Sequence, residues 1–196
     1  NGNTLRFNAG LTCTGAGSVV TAITGTTIIR AGGTGTWSCT NISTIRNPFT
    51  INTAGTLTIS GSVYYASGTL TYTAGTVVTT GSTLICGNSG TGPTFNCAGM
   101  TWNNVRFINN LTYTLSDDLI MAGTFTAQLT GLQTQTINGN EIQCIGFATS
   151  VSGSSPIITS GTTVFRFTGT GSWSQNAQSF ELRNPVIIDT AGTLTI

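Results

Sequence analysis

The sequence predicts an all-β chain wound as a parallel β-solenoid, a β-helix with about 20 residues per coil. Three observations predict it. The text repeats itself, glycines recur at a short interval, and apolar residues alternate with threonine between the glycines.

The repeat comes first. GTTIIRAGGTGTW (Gly25–Trp37) returns as GTTVFRFTGTGSW (Gly161–Trp173), and RNPFTINTAGTLTI (Arg46–Ile59) returns as RNPVIIDTAGTLTI (Arg183–Ile196). A shorter unit lies inside this duplication. NGNTLRFNAGLTCTG starts at Asn1, SGSVYYASGTLTYTAG at Ser60 and NGNEIQCIGFATSVSG at Asn138. Each passage reaches a tryptophan (Trp37, Trp102, Trp173) and then an AGT strand at Ala54, Ala122 or Ala191. The chain therefore reads as one solenoid domain, 1–196, with three units, 1–59, 60–126 and 138–196, and 127–137 as an extra connector. Internal repeats on this scale are the mark of stacked, quasi-one-dimensional folds.

A finer beat runs within the units. Gly55, Gly61, Gly68, Gly75 and Gly81 punctuate the strings GTLTIS, GSVYYAS, GTLTYTA and GTVVTT. In a strand Leu57 and Ile59 point one way and Thr56 and Thr58 the other, which makes a short side with one apolar face. Three sides close a coil. Coils stack at ~4.8 Å, so about ten of them would make a rod of ~45–50 Å. A β-sandwich also has many short strands, but does not explain the glycine beat. A trimeric fibre of interwound chains shares the same pattern.

Composition removes whole classes of function. Only 6% of the 196 residues are charged, mean hydropathy is +0.21 and about a fifth of the chain is threonine, so an ordered strand-rich chain is expected. Net charge is +1, there is no histidine, and all six cations are arginine. That leaves no electrostatic footprint for nucleic acid, no P-loop lysine and no histidine base or metal ligand. No apolar run is long enough for a membrane span, and no cofactor is expected. The chain starts at Asn1 without a methionine and reads as a processed form or a piece of something longer.

Few residues can carry chemistry. The carboxylates are Asp117, Asp118, Glu141, Glu181 and Asp189. Adjacent strand residues face opposite ways, so Asp117 and Asp118 read as a polar turn rather than an acid/base pair. Asn138-Gly-Asn-Glu141 has oxygens for calcium but reads as a turn. Arg30 and Arg166 are equivalent in the repeat, as are Arg46 and Arg183, and a ladder of them could grip an anionic glycan or a partner. Trp37, Trp102 and Trp173 could stack on sugar rings or fill the core. Cys86 and Cys97 bracket an apparent insertion that a disulfide could close, which would fit an oxidising exterior; otherwise all five cysteines are small core residues. Asn41 and Asn110 open glycosylation sequons. Thr-x-Thr strings raise an ice-binding reading.

The strings TWNNVRFINNLTYTLSDDLIMAGTFT and NTAGTLTISG resemble the degenerate repeats of tail-fibre and structural proteins of tailed phages, and those of large secreted bacterial adhesins. The resemblance implies a β-helical shaft in a surface appendage and carries over no catalytic or binding residue. The expectation is therefore a non-enzymatic structural segment of a virion or extracellular fibre. Its partners would be further copies of itself or neighbouring fibre subunits, end to end or as a trimer. The alternatives are a glycan-binding adhesin, an ice-binding protein and a β-helical polysaccharide-cleaving enzyme.

Overall fold

Period-two alternation decides which side chains go inside. In Ser62–Tyr65, Val63 and Tyr65 are buried while Ser62 is exposed; in Thr124–Leu129, Phe125, Ala127 and Leu129 are buried and the residues between are not. Every such strand has one wet and one dry face, and the dry faces must meet. In the computed structural model they meet around a common axis. The structure describes residues 3–14, 22–23, 26–40, 44–87, 91–129, 133–151, 157–176 and 180–196.

All pairings between the described strands are parallel, each strand lying beside the one a coil away. Register partners are separated by as few as 19 residues (Thr101 and Ile120) and as many as 26 (Phe147 and Trp173), around a typical 22. The chain is thus a parallel β-solenoid with three faces, visited in constant order. The first face runs from Thr4–Phe7 through Thr94–Asn96 to Phe180–Leu182, and the third from Ala22–Ile23 to Leu194–Thr195. The second is built from Gly10–Thr14, Gly35–Thr40 and the later halves of Phe49–Ser60 and Thr69–Val78, then from the five strands Thr101–Trp102 to Val186–Ile188. The third face is nine strands deep, so the rod is roughly 40 Å long at ~4.8 Å per rung.

Glycine makes the corners, with one variation. Gly61, Gly68, Gly75 and Gly81 all have positive φ. At Gly75 (φ 115°) a side chain would also collide with the side chain and carbonyl of Thr53 on the coil below. Gly55 and Gly75 both lie inside long strands, Phe49–Ser60 and Thr69–Val78, at the bend from the first face to the second, where the pairing slips between Asn52 and Thr56.

The interior is a file of rings along the axis. Trp37 stacks on Phe49 with centroids 4.6 Å apart, and Phe107 stacks on Tyr113 at 3.9 Å and meets Phe125 edge-on at 5.0 Å. The file continues through Phe147 and Phe165. Two buried tyrosine hydroxyls are satisfied at corners: Tyr65 donates to Asn47 O and Tyr113 to Cys86 O.

Two structural features bear on the repeat units. Gln133–Gly139, most of which lies in the stretch read as an extra connector, forms a first-face strand. Its Gln135 is fully buried and donates to the carbonyls of Phe107, Asn109 and Gln128. The three repeat units also do not superpose along the rod. The strand that opens the first unit, Thr4–Phe7, is on the first face; Ser62–Tyr65 opens the second on the third face; Ile142–Cys144 opens the third on the second face. A unit is not a whole number of coils, so each begins a third of a turn earlier than the last.

Candidate functional site

The rotation of the units decides the fate of the arginine ladder. Arg30 lies in Ile28–Ala31 on the first face and Arg166 in Phe165–Phe167 on the second, so these equivalents cannot line up. Arg46 follows a third-face strand and Arg183 a first-face strand. Arg30 is instead in register with Arg6 of the preceding coil.

The tryptophans correct the glycan-stacking reading. Trp37 and Trp102 are 0% exposed, held in inward slots of the second face, and cannot stack on a sugar. Trp173 is partly buried and stacked on Phe167 at 5.8 Å, near the C-terminal end of the core. Alternation gives the reason: a tryptophan at an inward strand position fills the core.

The proposed Cys86–Cys97 bridge is corrected too. Both are buried free thiols. Cys86 is in register between Tyr65 and Phe107 in an inward column, and the Cys97 thiol donates to Leu70 O at 3.4 Å. Burial pushes the Cys97 thiol up to about 12 and Cys86 well above its usual range, so neither is a nucleophile. The glycosylation sequon at Asn41 lies outside the described residues, whereas Asn110 is exposed.

Among the described residues, a polar constellation with chemical content lies along an edge of the second face. Asp117 and Asp118 form the corner between Thr112–Leu115 and Leu119–Met121, Glu141 directly precedes Ile142–Cys144, and Asp189 directly follows Val186–Ile188. Three of these carboxylates are tied together. Arg166 donates twice to Glu141, at 2.8 and 2.9 Å, and once to Asp189 at 3.0 Å. Gln143, in register beside Arg166, donates to Asp118 at 3.2 Å and to Glu141 at 3.3 Å, and the backbone N–H of Glu141 donates to Asp118. The network crosses four successive rungs. A neighbouring cavity of about 330 Å³ is lined by Ser116, Asp117, Asp118 and Asn140 among others.

Electrostatics define what this array does. The hydrogen bonds from Arg166 hold the Glu141 carboxyl below its usual range, outweighing its partial desolvation, and Glu141 and Asp189 in turn raise the guanidinium. A glycosidic general acid needs the opposite shift, a carboxyl that keeps its proton near neutrality. The array is therefore suited to hold charge and clamp rungs, with bidentate arginine geometry. Among the described residues, no three acidic, cysteine or histidine side chains are arranged to hold a metal ion. In the Asn138–Glu141 turn, Asn138 Oδ1 accepts from Thr162 N and Glu141 is bound by Arg166.

Sequence reasoning treated these carboxylates singly and missed the cluster. The signal was their spacing. Partners in the network are separated by 23 residues (Asp118 and Glu141), 25 (Glu141 and Arg166) and 23 (Arg166 and Asp189), close to one coil each.

No protein-family model matches the chain, and no curated protein or solved structure matches it either. The class is defined by the architecture itself, a single-chain three-faced parallel β-solenoid.

Proposed function

We propose that the chain is a non-enzymatic shaft segment of an extended extracellular or virion fibre. The observation that carries this reading is the unbroken stack of parallel rungs around one continuous apolar core, an architecture that extends by adding rungs. Meanwhile the rotation of the units spreads equivalent residues over all three faces, which suits a shaft with similar sides better than a one-sided binding surface. The resemblance of the repeats to those of tailed-phage fibres and large adhesins favours a virion or cell-surface setting. Electron microscopy of the native object, labelled with antibody to this chain, tests the proposal.

A second reading, a β-helical polysaccharide-cleaving enzyme, draws on the gathering of Asp118, Glu141 and Asp189. The arginine-bound state of Glu141 argues against it. Release of reducing ends from anionic or neutral polysaccharides, abolished by D118N, would establish it. Ice binding has less support: the threonine file Thr69, Thr94 and Thr114 passes to Asn138 at the next rung.

A further inference from the structure

The solenoid sets two of the five cysteines side by side on neighbouring coils. Cys13 in Gly10–Thr14 is the register partner of Cys39 in Gly35–Thr40, 26 residues further on. Alternation places both on one side. Leu11 pairs with the fully buried Trp37, so Cys13 and Cys39, two positions on, fall on the inward side of their strands. In-register neighbours across a parallel pair lie about 4.8 Å apart, within the ~4.4–6.8 Å between Cα atoms that a disulfide spans. We infer that Cys13 and Cys39 form a disulfide that closes one complete coil on itself, a covalent staple running along the rod.

The surroundings of the other cysteines favour this pair. Among the described pairings no other cysteine has a cysteine as its register partner: Cys86 lies between Tyr65 and Phe107, and Cys144 beside Phe167, while Cys97 follows the strand Thr94–Asn96 on the first face. Access differs as well. Cys86, Cys97 and Cys144 are buried, whereas Cys39 is partly exposed. The coil above it supplies a reason. Ser38 pairs with Ser60, so the position beyond Cys39 falls to Gly61, a corner glycine with φ 64° that offers no side chain as cover. Burial pushes the Cys97 and Cys144 thiols up to about 12, which keeps them protonated and out of exchange. The bond forms by thiol–disulfide exchange with a small disulfide such as oxidised glutathione. The Cys39 thiolate attacks one sulfur of the oxidant, making a mixed disulfide and releasing one glutathione thiolate. The Cys13 thiolate then attacks the Cys39 sulfur, and the second glutathione leaves. The two cysteines lose two protons and two electrons, and the oxidant is reduced to two thiols. A coil closed in this way cannot peel from its neighbour by breaking hydrogen bonds alone.

Peptide mapping of the full chain tests the bridge. The reduced protein is incubated with oxidised glutathione, then alkylated with iodoacetamide in denaturant without further reduction. The chain has no lysine, so trypsin cuts only after arginine and leaves Cys13 and Cys39 in separate peptides, residues 7–30 and 31–46. The expected product is these two peptides joined, lighter than their sum by the two hydrogens lost, from protein whose intact mass is that of one chain. Cys86, Cys97 and Cys144 should carry the alkyl group. The oxidised protein should melt about 5 °C or more above the reduced protein, and C13S and C39S should each remove that shift. The map is made on the wild type, so it reads the bridge even where a variant fails to fold. Alkylated Cys13 or Cys39, glutathione retained on Cys39, or a bridge to another cysteine or to a second chain would each overturn the inference. A bridge that leaves the melting temperature unchanged, or a shift that persists in C13S and C39S, would overturn its role as a staple.

Discussion

Asn184 donates through Nδ2 to the carbonyl oxygen of Thr163 at 3.2 Å, bracing its corner against the coil below. Asn47 makes the equivalent bond to Thr27 at 3.0 Å, and both asparagines are buried. The likeness extends along the motif. Gly55 N–H and Gly192 N–H donate to the hydroxyls of Thr53 and Thr190, and Thr56 N–H and Thr193 N–H to those of Thr34 and Thr170. The repeated text thus encodes a corner that holds its neighbour below, and it works equally well on different faces. N47A and N184A should each destabilise the fold by about 1–3 kcal/mol, because a buried carbonyl loses its donor. Urea unfolding measures this, and a loss within experimental error in both would remove the motif's structural role.

Truncating Trp37 tests the core assignment. W37A should cost about 3–5 kcal/mol, the range for emptying a large buried side chain. A surface residue poised for sugar would cost less than about 0.5 kcal/mol, so the same unfolding assay separates the two roles.

The cysteine assignment is read by mass. Cys86 and Cys97 should stay unmodified by iodoacetamide in the native protein at neutral pH and react fully in denaturant without prior reduction. Protection that persists in denaturant until a reductant is added would show a disulfide after all.

Acid should weaken the Arg166 network. The Glu141 carboxyl titrates lower in the folded chain than in the unfolded one, so its stabilising contribution is present above the unfolded value of about 4.3 and is lost as pH falls through the folded value. Unfolding free energies measured from neutrality down through that window should fall less steeply for E141Q than for the wild type. Parallel pH profiles would contradict the assignment.

Much of the fold was legible in the sequence because a solenoid is local in design. Leu57 and Ile59 declare an inward side by alternation alone, and Gly61, Gly68, Gly75 and Gly81 mark corners by the backbone they permit. What was not legible depends on phase. Whether Arg30 and Arg166 stack is settled by the fraction of a coil accumulated between them, and each repeat unit, not being a whole number of coils, shifts the next by a third of a turn. The same accumulation hid the Asp118, Glu141, Arg166 and Asp189 network, whose members meet only because near-coil spacings returned them to one edge. Cys86 and Cys97 looked like a bridge by position, but each took an inward slot that a small apolar residue fills.

The central claim is that this solenoid is a length of shaft. Immunogold electron microscopy of the native object, with antibody raised against the folded chain, tests it most directly. Gold spaced along the body of a filament is the predicted result; gold confined to filament tips, or found only on dispersed globular particles, would contradict it.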